Sequence, residues 1–165
     1  LRLYLGCEFH ANMSMVETLI NKERPTMAGS DYVLTEFSGA TDFAFARERV
    51  YELVTHGFIP IIAHVERYPN IRKDMGNLET LREIGAYLQV NAESILGEEG
   101  FATKRFCKKL MKNNMLDFVG TDCHRTNKRI PNLGPCAEYM EKKMGREYTE
   151  RILIHNPQKI IENIG

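Results

Sequence analysis

Gly57-Phe58-Ile59-Pro60-Ile61-Ile62-Ala63-His64-Val65-Glu66-Arg67 is the stretch that decides the fold. The run from Phe58 to Ala63 is apolar throughout, with Pro60 its one blemish, and shows no alternation with polar residues. That is the pattern of a strand buried on both faces, as in parallel sheets. The run ends by delivering an imidazole, His64, with the Arg67 guanidinium three residues beyond. In a parallel α/β protein the carboxyl ends of the strands share one face, so side chains placed there converge.

Other runs end in the same way. Leu3-Tyr4-Leu5 reads as a first strand leading through Gly6-Cys7 into Glu8, and Asp31 to Phe37 reads as a second carrying Glu36 near its end. Leu116 to Gly120 reads as a strand leading into Asp122 and His124, and Tyr87 to Val90 as another. Helical patterns fill the gaps. Residues 13–22 place Met15, Val16, Leu19 and Ile20 on one face before Pro25. Thr41-Asp42 offers an N-cap to a helix carrying Phe43, Ala46, Val50, Leu53 and Val54, closed by Gly57. Residues 75–85 form another, ending at Gly85. Residues 102–113 bury Phe106, Leu110 and Met111 and turn Lys104, Arg105, Lys108, Lys109 and Lys112 to solvent as a plain charged face. Residues 133–144 and 147–162 complete the set, with Pro157 as a helix-start signal in the last. Strand–helix alternation of this kind implies a parallel sheet or barrel. About five βα units are legible, short of the eight of a closed TIM barrel. Either the sheet is open, or this is most of a barrel whose first units lie upstream. No linker divides residues 1–165, so a single domain is expected.

Composition narrows the function classes. Lys+Arg and Asp+Glu both total 22, so no net basic charge points to nucleic acid. No apolar run is long enough for a membrane-spanning helix. Cys7, Cys107, Cys123 and Cys136 form no Cys-x-x-Cys pair, which favours reduced thiols packed as small hydrophobes in a cytoplasmic protein. Leu1 stands already inside an apolar run, so residues belonging to the fold are expected upstream of it.

Glu8, Glu36, His64, Asp122 and His124 are the donor types of a hydrolytic metal centre, and Arg67 and Arg129 are cations suited to phosphate. Taken singly, each carboxylate reads equally well as a salt-bridged residue at the sheet rim, and Asp122 as the anchor of a loop turn. Their recurrence at strand ends is what favours the metal. His10, His56 and His155 lack that placement; His56 instead ends a helix, where a cation suits the dipole. A rival overlaps the Asp122 segment: Cys123 and Arg129 have the Cys-x5-Arg spacing of cysteine-dependent phosphatases. Between them lie Arg125 and Lys128 and no glycine, and Ile130-Pro131 follows, which spoils the thiolate-stabilising helix start.

The stretches LGCEFH, DYVLTEF, GFIPIIAHVER, FVGTDCHRTNKRIPNL and IHNPQKIIEN resemble the manganese-dependent tyrosine-protein phosphatases of bacterial capsule and exopolysaccharide operons. These belong to the polymerase-and-histidinol-phosphatase (PHP) superfamily. The resemblance implies a distorted, TIM-like (β/α)7 barrel, of which this chain is the C-terminal part, with up to three metals at its carboxyl face. Manganese is the implied metal, with iron or zinc admissible for the same donors. It also implies roles: Glu8 bridging two metals, Glu36 and His64 completing the second, Asp122 on the first and His124 on the third, with Arg67 and Arg129 on the phosphate. Water activated by the metals, not Cys123, is then the nucleophile. The implied substrate is the phosphotyrosine-bearing C-terminal tail of a tyrosine autokinase, reached from the cytoplasm. The family's amino-terminal His-x-His strand has no counterpart in this sequence. Another PHP phosphoesterase, such as a histidinol phosphatase, and a non-catalytic remnant are the competing readings.

Overall fold

The computed structural model describes residues 2–124 and 131–164. In chain order it contains β1 (Glu8–His10), α1 (Met15–Ile20), β2 (Tyr32–Glu36), α2 (Phe43–Thr55), β3 (Ile59–Ile62), α3 (Pro69–Arg72), α4 (Met75–Ile84) and β4 (Tyr87–Asn91). Then follow α5 (Ala92–Leu96), α6 (Phe101–Lys112), β5 (Phe118–Gly120), α7 (Leu133–Met144), α8 (Arg146–Glu150) and α9 (Asn156–Glu162). The chain divides into two compact units, residues 1–88 with 158–165, and residues 89–157.

In the first unit all strand pairings are parallel. β1 lies beside β2, with Glu8 opposite Leu34 and His10 opposite Glu36. β2 lies beside β3, with Val33 opposite Pro60 and Thr35 opposite Ile62, and β3 meets Tyr87 and Leu88 of β4. Ile61, Ile62 and Val33 are fully or almost fully buried, as a strand covered on both faces requires. α2 is opened by Asp42, whose side chain accepts from Phe45 N at 2.8 Å. Gly57, at φ +85°, follows its end in the left-handed conformation that lets the chain turn straight into β3. α4 is capped likewise by Asp74. In the second unit, Gln89–Asn91 pair in parallel with Phe118–Gly120, and Cys107, Leu110 and Met111 of α6 and Cys136 and Met140 of α7 are buried. Among the described residues, no helix is long and apolar enough to cross a membrane.

Several local expectations change. Leu3 to Leu5 is not a strand: Leu3 and Leu5 are exposed, and the ladder begins at Glu8. A strand forms where it finds a partner, and β2 offers one to Glu8–His10; of the earlier run, Leu5 O accepts from Ala28 N in a loop contact. Ile20 is exposed rather than on the buried face of α1, and on α6 Cys107 takes the buried place expected of Phe106, which is half-buried. α3 and α5 were not anticipated, because helices of one turn carry no usable periodicity. Pro157 stands at the second position of α9, where a helix-start signal is expected. It lies in a helical run whose preceding five residues, Arg151–His155, widen to a π-turn. A proline lacks the N–H for the usual helical bond, and widening of this kind accommodates the loss.

Candidate metal centre

β3 emerges from the core at Ala63, whose N–H donates to Thr35 O at 3.0 Å. His64 then takes a left-handed conformation, φ 32° and ψ 55°, before the tight turn Val65–Arg67. Residues other than glycine uncommonly occupy that region, histidine more often than most, and such backbone clusters at functional positions. The turn brings His64 Nε2 to 3.2 Å from Glu8 Oε1 and 3.4 Å from Glu36 Oε1. One donor atom from each of Glu8, Glu36 and His64 lies within 4.8 Å of the other two.

The other side of the imidazole is held as well. His64 Nδ1 lies 3.1 Å from the Tyr68 hydroxyl, which accepts from Phe37 N at 3.0 Å. Tyr68 is buried, with the Phe37 ring edge-on at 5.9 Å between centroids. A ligating histidine commonly has its second nitrogen fixed by such a partner, which sets ring orientation and tautomer. His10, contrary to expectation, does end a strand, β1, and stands across the ladder with Nδ1 3.6 Å from Glu36 Oε2.

The donor set suits a divalent cation. Two carboxylates facing one imidazole repel each other unless positive charge lies between them. Around a metal at about 2.1 Å from each donor, neighbouring donors stand roughly 3.0–3.4 Å apart, close to the separations from His64 to the two glutamates. The same two carboxylates act on the proton affinity of His64. Burial disfavours its charged form, but the hydrogen bond and charge of Glu8, aided by Glu36 and opposed by Arg67, leave its pKa raised above the ordinary histidine value. Tyr68 is pushed well above the ordinary phenol by burial, with the Phe37 N–H opposing and the charges of Glu36, Glu8 and Glu66 adding to it. Arg67 is half-buried, and its N–H donates to His64 O at 2.9 Å.

The second unit holds the next two expected residues. Asp122, at φ +47°, has Oδ2 3.3 Å from Asn91 Nδ2, and Asn91 Oδ1 in turn accepts from Gln89 Nε2 at 3.1 Å. His124 is exposed, its Nδ1 2.7 Å from Asp122 O and 3.3 Å from Asp122 Oδ1. Cys123 is exposed. Arg129 lies outside the described residues, so the Cys-x5-Arg rival has no geometry to set beside its spacing.

Sequence reasoning missed Tyr68 and Asn91. Asn91 ends β4 as His64 follows β3, so the strand-end rule reaches it once amides are admitted with charged groups. Tyr68 carries no sequence signal beyond being an aromatic four residues after His64.

Comparison with known proteins gives a consistent set of likenesses. The family model described as capsular polysaccharide synthesis, CpsB/CapC, matches residues 1–162. Tyrosine-protein phosphatase CpsB of Streptococcus agalactiae serotype III is 28% identical over 168 residues, covering 99% of this chain and 69% of that protein. Putative tyrosine-protein phosphatase CapC of Staphylococcus aureus is 34% identical over 129 residues, covering 78% of this chain and 51% of its own length. Among solved structures, the work on YwqE from Bacillus subtilis and CpsB from Streptococcus pneumoniae, described as unique metal-dependent tyrosine phosphatases, supplies a chain with a TM-score of 0.89 at 28% identity. That match covers 97% of this chain and 64% of the other, so the chain spans about two thirds of its structural relative.

Proposed function

From the premise that the chain belongs to the CpsB/CapC capsular polysaccharide synthesis family, we propose that it carries the machinery of a metal-dependent protein-tyrosine phosphatase. The observation that carries this reading is the convergence of Glu8, Glu36 and His64, a donor set suited to a divalent ion. The relatives and the structural neighbour, named as tyrosine phosphatases, support the reaction. Manganese is the metal of this reading, with iron or zinc compatible with the same donors; bound there, it would activate water and neutralise phosphate charge.

The chain's own residues do the rest. Glu8, Glu36 and His64 hold the ion, with Tyr68 fixing the imidazole so that Nε2 faces the carboxylates. The same reading gives Asp122 and His124 as further ligands within a cluster of up to three metals, Asp122 steadied by Asn91. Arg67 and Arg129 grip the phosphate through planar guanidinium forks and orient it for in-line attack. The family match runs through residues of both units, which supports one catalytic domain of the distorted (β/α)7 PHP type. Its substrate is the phosphotyrosine-bearing tail of a tyrosine autokinase, and its compartment the cytoplasm.

The test is hydrolysis of a phosphotyrosine peptide by the purified protein before EDTA, after EDTA, and after manganese is restored. Loss followed by recovery supports the reading. Activity indifferent to EDTA overturns the metal mechanism and brings Cys123 forward. Preference for histidinol phosphate over the peptide overturns the substrate class.

A further inference from the structure

The cationic face of α6 borders a concavity that the sequence of the helix does not show. Lys104, Arg105, Lys108, Lys109 and Lys112 line a concave groove of about 550 Å³, whose wall also includes Phe101 and Tyr139 of α7. That volume falls within the range of about 300–1,000 Å³ common to ligand sites.

The cations are uncompensated within their own helix. α6 contains no acidic residue, and Arg105, Lys108, Lys109 and Lys112 form no ion pair among the described residues. Lys104 and Lys108, Arg105 and Lys109, and Lys108 and Lys112 are each four residues apart, a spacing at which like charges repel. The helix dipole favours cations in the last turn, which accounts for Lys109 and Lys112 but not for Lys104 and Arg105. The chain as a whole is formally neutral, so these five cations are a local excess of positive charge.

The aromatic groups stand among these charges. Lys104 is fixed: its Nζ donates to Leu96 O at 2.8 Å and lies 4.8 Å from the centroid of the Tyr139 ring. Phe101, at the start of the helix, is 81% exposed and lines the groove. The groove therefore presents ammonium and guanidinium groups beside two rings. A phosphorylated aromatic side chain matches both, with phosphate for the cations and a ring face for Phe101 or Tyr139. Its concavity favours a peptide over a flat lipid surface.

We propose that the α6–α7 groove binds a second phosphotyrosine-bearing stretch of the protein substrate, apart from the phosphotyrosine being hydrolysed. This rests on the phosphatase reading above. The test compares the protein with Lys108→Glu/Lys112→Glu on three substrates: a peptide with two phosphotyrosines, the same peptide with one, and p-nitrophenyl phosphate. The expected result is a KM about tenfold higher for the doubly phosphorylated peptide alone, with kcat and the p-nitrophenyl phosphate kinetics unchanged. Lys108→Gln/Lys112→Gln is expected to give a smaller rise of the same kind, and 0.5 M salt to abolish the wild-type preference.

Binding of a peptide carrying non-hydrolysable phosphonate analogues of phosphotyrosine reads the groove independently of catalysis. About tenfold weaker binding by the double variant supports the groove even if no substrate is turned over, an outcome that would instead sink the phosphatase reading. Unchanged phosphonate binding overturns the proposal, as does an equal loss on all three substrates. A variant that loses only its binding to phosphatidylserine vesicles also overturns it, and makes the groove a membrane contact.

Discussion

The two ends that carry expected ligands, at β3 in the first unit and β5 in the second, are built on different plans. At β3, three strand segments contribute: Glu8 from β1, Glu36 from β2 and His64 just past the end of β3. The imidazole is buried and held on both nitrogens, by the glutamates on one side and Tyr68 on the other. At β5 the support is local. His124 is exposed and turns back onto the carbonyl and carboxylate of Asp122, two residues away, while Asp122 is steadied by Asn91. The first end is a donor set organised before a ligand arrives. The second holds its acid in place and leaves its imidazole exposed. Both ends share left-handed backbone at the critical residue, φ 32° at His64 and φ 47° at Asp122.

The hardest test of that contrast is His64→Ala. It removes the imidazole that both carboxylates face, and manganese-supported phosphotyrosine hydrolysis is expected to fall by at least about 100-fold, read as kcat/KM across a metal titration. A fall of less than tenfold would erase the distinction between the two ends. His124→Ala, at the exposed end, is expected to cost less, about tenfold in the same assay. A larger loss there than at His64 would reverse the comparison.

Tyr68→Phe sharpens the contrast within the first unit. It keeps the ring but removes the oxygen that meets both His64 Nδ1 and Phe37 N. Manganese affinity is expected to weaken about tenfold in a calorimetric titration. The orphaned Phe37 N–H is expected to lower stability by about 1–3 kcal/mol in urea melts. In a His64→Ala background the stability loss should persist while the affinity difference vanishes; an affinity difference that survives would show that Tyr68 does not act through His64.

What the sequence disclosed follows from the same contrast. His64 and Glu36 were legible because the apolar runs at 32–34 and 58–63 fix where β2 and β3 end, and the strand-end rule needs little more. Glu8 was found for a partly mistaken reason: the strand begins at Glu8 instead of ending before it, since Leu3 to Leu5 finds no strand partner among the described residues. Tyr68 was illegible because its contribution is one hydroxyl aimed by a fold, not a spacing. Asn91 was passed over because an amide at a strand end looks neutral until Asp122 is placed beside it. The basic face of α6 was read correctly as exposed. Its concavity comes from α7, which helical periodicity in α6 cannot contain.

A smaller effect probes the second unit. A Cβ at Gly120 would stand 2.5 Å from Gln89 Nε2, which donates to Asn91 Oδ1. Gly120→Ala should displace this chain of amides and disturb Asp122, lowering activity only a few-fold because the displaced group is the end of a flexible side chain. The smallest effect concerns the thiols. Cys136 is buried, which pushes its thiol up to about 12, while Cys123 is exposed. A thiol reagent is expected to modify Cys123 and spare Cys136 in the folded protein. Cys123→Ser should leave metal-supported hydrolysis within about twofold of wild type, since the proposed metal mechanism uses this residue neither as ligand nor as nucleophile.

The most direct test of the central claim is an anomalous difference map from crystals of the protein grown with manganese. The account predicts a peak about 2.1–2.3 Å from a carboxylate oxygen of Glu8, a carboxylate oxygen of Glu36 and Nε2 of His64. Manganese bound elsewhere, with His64 still hydrogen-bonded to Glu8 and no peak between them, would contradict it.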